Sequence, residues 1–144
     1  MKNIVRNRIV TVLSAAAIAF TGMTASAGNA FAGPPSASFD VGVMQADGSR
    51  YIWIYRNGVL AGAGGWQANG DLLLVSDRAS DGYYITAHIA NSSYSRNLSS
   101  AGYPSPSDRQ LGGNIAEDKT YDFWTCIGSN TAGLTCSDVY KVTS

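Results

Sequence analysis

Arg50-Tyr51-Ile52-Trp53-Ile54-Tyr55-Arg56, followed at once by Asn57-Gly58, is the stretch that decides the fold. Between its two arginines every residue is isoleucine or aromatic, the types that suit a pleated, half-buried surface. Asn-Gly is the strongest short hairpin cue, because both residues tolerate the positive φ that a tight two-residue turn requires. Upstream, Phe39, Val41 and Val43 alternate with Asp40 and Gly42 until Asp47-Gly48-Ser49 breaks the pattern with a turn. Downstream, Gly62 to Gly65 (GAGG) reads as a loose connection. Asn69-Gly70 then introduces Asp71 to Asp77 (DLLLVSD), apolar on both faces and expected to be an interior strand.

The same period of two continues beyond the loop from Asp77 to Gly82. In Tyr83 to Ala90 (YYITAHIA), Tyr83, Ile85, Ala87 and Ile89 share one face; Tyr84, Thr86 and His88 share the other. From Asn91 to Gly113, Ser, Asn, Gly, Pro and Arg predominate, which predicts loop with one short strand near Asn97 to Ala101. Pro104 and Pro106 lack the ladder N–H and exclude a central strand there. Thr120 to Ile127 and Leu134 to Val142 form the last predicted hairpin. Cys126 and Cys136 stand equidistant from its midpoint, residue 131, so the two are expected to oppose each other and form a disulfide. No stretch supports a helix of ordinary length; Ile115 to Lys119 allows one turn at most. The pattern predicts an all-β fold, a small antiparallel β-sandwich or partly open barrel of about seven strands.

The N-terminus has a different character. Lys2, Arg6 and Arg8 precede the apolar run Ile9 to Phe20, and two Ala-x-Ala sites follow, ending at Ala27 and Ala32. That order is what an export signal needs. Residues 1–32 are therefore expected to be a signal peptide cleaved after Ala32, leaving 33–144 as a single secreted β domain with no membrane anchor. Removing the three basic residues of the signal from ten leaves seven against ten acids, a formal net charge of −3. With no basic stripe, nucleic acid is not an expected partner. A pair of cysteines and export both fit an extracellular, oxidising compartment.

Candidate chemistry is sparse. His88, the one histidine, lies on the polar strand face with no acid close in sequence to orient it, so a solvent-facing residue is expected. On that reading His88→Ala changes stability by under about 0.5 kcal/mol. No serine stands in G-x-S-x-G or S-x-x-K, so no catalytic residue is assigned. The acidic pairs Asp77 with Asp81 and Glu117 with Asp118 do not by themselves define a glycosidase groove. Asp47, Asn69, Asp71, Asp77 and Asp81 match no calcium-loop spacing and read as turn and cap residues, so no metal or other cofactor is expected.

The aromatic residues are more informative. If Ile52 and Ile54 face the core, Tyr51, Trp53 and Tyr55 line the outer face of a sheet, a row suited to sugar rings or a partner protein. Large aromatics in so small a domain more often enter the core, and the Ala61 to Trp66 connection is a second way to cover the row. Trp66, Tyr94 and Tyr103 are expected in loops, where an aromatic side chain points to function. Tyr51, Trp53, Tyr55 and Trp66 are the candidate ligand-binding residues.

Trp66 to Asp71 (WQANGD), Ser76 to Tyr83 (SDRASDGY), the Ala101-Gly102 loop and the cysteine-bearing last hairpin resemble small secreted proteins of Streptomyces and related actinobacteria. The resemblance covers most of residues 50 to 142 and implies a secreted β domain without an assigned activity. Similar proteins often carry a further cysteine pair near the positions of Ser76 and Ser107, which this chain lacks. The expected function is an extracellular binding or interaction module, inhibitor-like or cell-surface associated, whose partner is a protein or a glycan. A structural protein of the envelope or spore surface is the alternative, and a small hydrolase resting on His88 the weakest reading.

Overall fold

A computed structural model describes residues 35–144, so the expected export signal and the expected cleavage after Ala32 lie outside the described residues. Ten strands run through the described residues: β1 (Ser38–Val41), β2 (Arg50–Arg56), β3 (Val59–Gln67), β4 (Leu72–Asp77), β5 (Tyr84–Asn91), β6 (Tyr94–Ser99), β7 (Ser107–Leu111), β8 (Thr120–Ser129), β9 (Gly133–Cys136) and β10 (Tyr140–Thr143). They form two antiparallel five-stranded sheets, not closed into a barrel. The first sheet has the order β1-β2-β3-β4-β7. In the second, β10-β8-β5-β6 are neighbours and β9 also pairs with β8. The chain changes sheets between β4 and β5, between β6 and β7, and between β7 and β8.

The core is the space between the sheets, and the period of two dictates what enters it. Ile52, Ile54, Trp66, Leu73 and Val75 come from the first sheet and Ile85, Ala87, Ile89, Phe123, Ile127 and Val142 from the second, all buried. Asn57 (φ 49°) and Gly58 (φ 76°) make the β2–β3 turn with both central residues at positive φ. Asp47 caps the turn before β2 by accepting the Ser49 N–H at 2.9 Å.

Four expectations are corrected. Gly62 to Gly65 is the middle of β3, a central strand rather than a loose connection. Glycine weakens strands in general, but it is found where another backbone or side chain must come close. Here a Cβ on Gly62 would stand 2.7 Å from Ile85 Cγ1, and one on Gly64 would overlap the Thr125 methyl. Trp66 lies in that strand, fully buried, rather than in a loop. The polar stretch from Asn91 to Gly113 holds two strands, β6 and β7, with the prolines in the loop between them. Its residues are polar because both strands lie at sheet edges. Finally, Leu134 to Val142 is divided into β9 and β10. Cys126 pairs with Cys136 but Phe123 pairs with Tyr140, so Ser137, Asp138 and Val139 oppose only Trp124 and Thr125. The bulge is bonded through Ser137 N–H to Thr125 O (2.9 Å) and Thr125 N–H to Ser137 Oγ (3.2 Å). These elements raise the count from about seven strands to ten.

Candidate functional site

Ile52 and Ile54 face the core, so Tyr51, Trp53 and Tyr55 stand on the outer face of the first sheet. The exposure of Trp53 is 37%; Tyr51 and Tyr55 are half-buried. The Tyr51 and Trp53 rings lie 6.4 Å apart, tilted by 31°. Trp66, the fourth candidate, is not among them. Its indole fills the core and donates Nε1–H to Thr143 O at 2.9 Å, tying the first sheet to the second.

The residues beside the aromatic row come from strand register. Across the outer face, Tyr51 pairs with Gly65, Gly65 with Leu74, and Leu74 with Gln110. The next row runs Trp53, Ala63, Ser76, Asp108. Ala63 and Gly65 have almost no side chain, so β3 becomes the floor of a trough. Tyr51 leans over that floor: a Cβ on Gly65 would stand 2.6 Å from its ring. The trough encloses about 400 Å³, with Tyr51 on one side and Arg78, Asp108 and Gln110 on the other. Arg78 Nη2 donates to both Asp108 oxygens, at 2.8 and 3.1 Å, so the two charges on this rim neutralise each other. The other nearby arginine, Arg109, turns inward, donates to Ser99 O at 2.7 Å and covers the Tyr103 ring at 4.0 Å. Ser76, in the trough lining, has a buried hydroxyl without a hydrogen-bond partner among the described residues.

Arg78, Asp108, Gln110 and the small residues of β3 were not legible as site residues. A usable signal existed: Asn57-Gly58 and Asn69-Gly70 bracket a segment of strand length, so the Ala-Gly run between them had a strand to occupy.

A larger cleft of about 630 Å³ opens where Tyr83, Tyr84, Tyr103 and Ser129 approach one another. Several of its groups are engaged within the fold. Arg56 lies over the Tyr83 ring at 4.2 Å and Arg109 over Tyr103. Ser100 Oγ–H donates to the buried Asp77 Oδ2 at 3.0 Å while accepting the Ile85 N–H at 2.9 Å. Tyr94 is the first residue of β6 and packs edge-on against Tyr121 at 6.0 Å, whereas Tyr103 does lie in a loop, half exposed.

His88 is on the outer face of the second sheet, with Thr86 as expected. Its ring stacks on Trp124 (4.9 Å between centroids, 3° between planes) and its Nε2 is 2.9 Å from Thr86 Oγ1. Partial burial holds its pKa below the ordinary value. Among the described residues no carboxylate hydrogen-bonds the ring. Two of the acids serve the backbone and an ion pair. Asp71 accepts the Ile115 N–H at 3.0 Å; Asp81 accepts the Tyr83 N–H at 3.0 Å and pairs with Arg56 at 2.7 Å.

The chain matches no family model, no curated protein and no solved structure.

Proposed function

We propose that this is an extracellular binding module whose ligand face is the outer surface of the first sheet, centred on Tyr51, Trp53 and Tyr55. The observation that carries the reading is the aromatic row itself, turned outward beside a floor of Ala63 and Gly65. Large rings supply much contact area at small cost in side-chain entropy, and a domain gains nothing for its own core by placing them outside. The export signal expected from the sequence, a disulfide-bonded hairpin and the lack of a basic stripe all agree with work outside the cell. Retention on the washed envelope and extracellular matrix of the cells that make the protein tests it. Tyr51→Ala with Trp53→Ala should lower the retained fraction at least tenfold while the thermal midpoint holds. Equal retention of the double variant refutes the reading and leaves a structural role for this sheet.

A further inference from the structure

Resting on the reading of the first sheet as the binding face, we infer that its ligand is a neutral oligosaccharide, seated in the trough with one pyranose ring stacked on Tyr51. The form of the site excludes its competitors in turn. A stable protein partner buries about 800 Å² on each side, with large apolar anchors filling the centre. Here β3 gives the floor only Ala63 and Gly65, the Leu74 side chain of β4 lies beside them, and a concavity of about 400 Å³ has the dimensions of a small-molecule site. A polyanion needs free cations. Arg78 is spent on Asp108, Arg109 is turned to the inner side, and Asp40 stands opposite Trp53 on the neighbouring strand.

What the trough offers is an aromatic wall facing a polar one. The C–H face of a flat, equatorially substituted sugar ring is apolar and weakly positive, which suits the negative face of an aromatic ring. Its edge hydroxyls both donate and accept. The opposite rim presents a carboxylate, a guanidinium and an amide, Asp108, Arg78 and Gln110, which together do the same. The Trp53 ring, 6.4 Å from that of Tyr51 between centroids, adds aromatic surface next to it on the same strand face.

Titration with neutral hexasaccharides (cello-, chito-, xylo- and malto-oligosaccharides) and with a heparin hexasaccharide, followed by amide NMR shifts and calorimetry, tests the inference. At least one neutral sugar should shift the amides of Ala63, Gly65, Ser76 and Gln110. Tyr51→Ala and, separately, Gln110→Ala should weaken it about tenfold and threefold. Affinity should hold between 50 and 500 mM salt, as it does when no counterions are released. Absence of those shifts at millimolar sugar, tighter binding of the heparin fragment, or indifference to Tyr51→Ala overturns it. If sugars fail while envelope retention still requires Tyr51 and Trp53, the glycan assignment falls and the binding face stands. If retention is also indifferent to those rings, both fall.

Discussion

His88 lies flat on Trp124, and that contact changes what its removal should cost. A strand histidine facing solvent alone would matter little, but a stacked aromatic pair contributes about 0.5–1.5 kcal/mol beyond its buried area. His88→Ala is therefore expected to destabilise the domain by about 1 kcal/mol, measured by urea unfolding at pH 7.5, rather than by under 0.5. The sign of its pH dependence follows from burial, which disfavours the charged ring. In the folded state the pKa lies below the ordinary 6.5, so on acidification the unfolded chain takes up its proton first. The stability associated with a neutral His88 is complete above pH 6.5 and declines as pH falls through and below that value. Comparing wild type with His88→Phe, which keeps a stacking ring, isolates this component. Equal pH slopes for the two proteins between pH 7.5 and 5 would show that the ring's protonation is not disfavoured by folding.

At the scale of the element, the middle of β3, Ala61 to Gly65, is the most constrained segment because it serves both faces with almost no side chains. Its inner glycines, Gly62 and Gly64, admit Ile85 and Thr125 of the other sheet, and Ala63 and Gly65 on the outer face make the trough. The two faces predict opposite phenotypes. Gly64→Ala drives a methyl into Thr125 and Ala87 in the core and should destabilise by about 1–3 kcal/mol, the usual cost of overpacking. Gly65→Ala meets only the Tyr51 ring, which can swing toward solvent. It should leave the denaturation midpoint nearly unchanged and reduce retention on the envelope by displacing the platform. If the two variants lose equal stability, the assignment of faces in β3 is wrong. The turn cues around this strand were plain, yet composition argued for a loop, because glycine's usual meaning is local and its meaning here is a distance to another sheet.

For the molecule as a whole, two sheets that share no backbone ladder are held by the apolar core between them, and a few long-range polar links fix how they meet. Trp66 bonds to Thr143 O, and Asp77, Ser100 and the Ile85 N–H form a chain from β4 to β5. The Cys126–Cys136 disulfide secures the β8–β9 hairpin. It closes a loop of eleven residues, for which chain entropy gives roughly 2–3 kcal/mol. Thiol titration of the unfolded, unreduced protein should find no free cysteine, and Cys126→Ser with Cys136→Ser should lower stability by about that amount. Two titratable thiols would remove the bridge, and an unchanged midpoint in the double variant would show that the hairpin stands without it.

Features of short range are written in the local pattern of the chain. Alternation of apolar and polar residues placed Ile85, Ala87 and Ile89 inward and His88 outward. Asn57-Gly58 marked a turn that needs two positive φ values, and the symmetric spacing of the cysteines set the register of Cys126 against Cys136. Each depends on the covalent geometry of neighbouring residues, which any window of the chain carries. Only the tertiary structure decided that the Tyr51 row is open to solvent, that Trp66 is core, and that Asp108 and Gln110 stand across from Tyr51. Those residues meet because β7, some thirty positions beyond β4, returns from the second sheet to pair with it. Such a pairing is selected by how well two distant faces bury each other, and no local pattern records it.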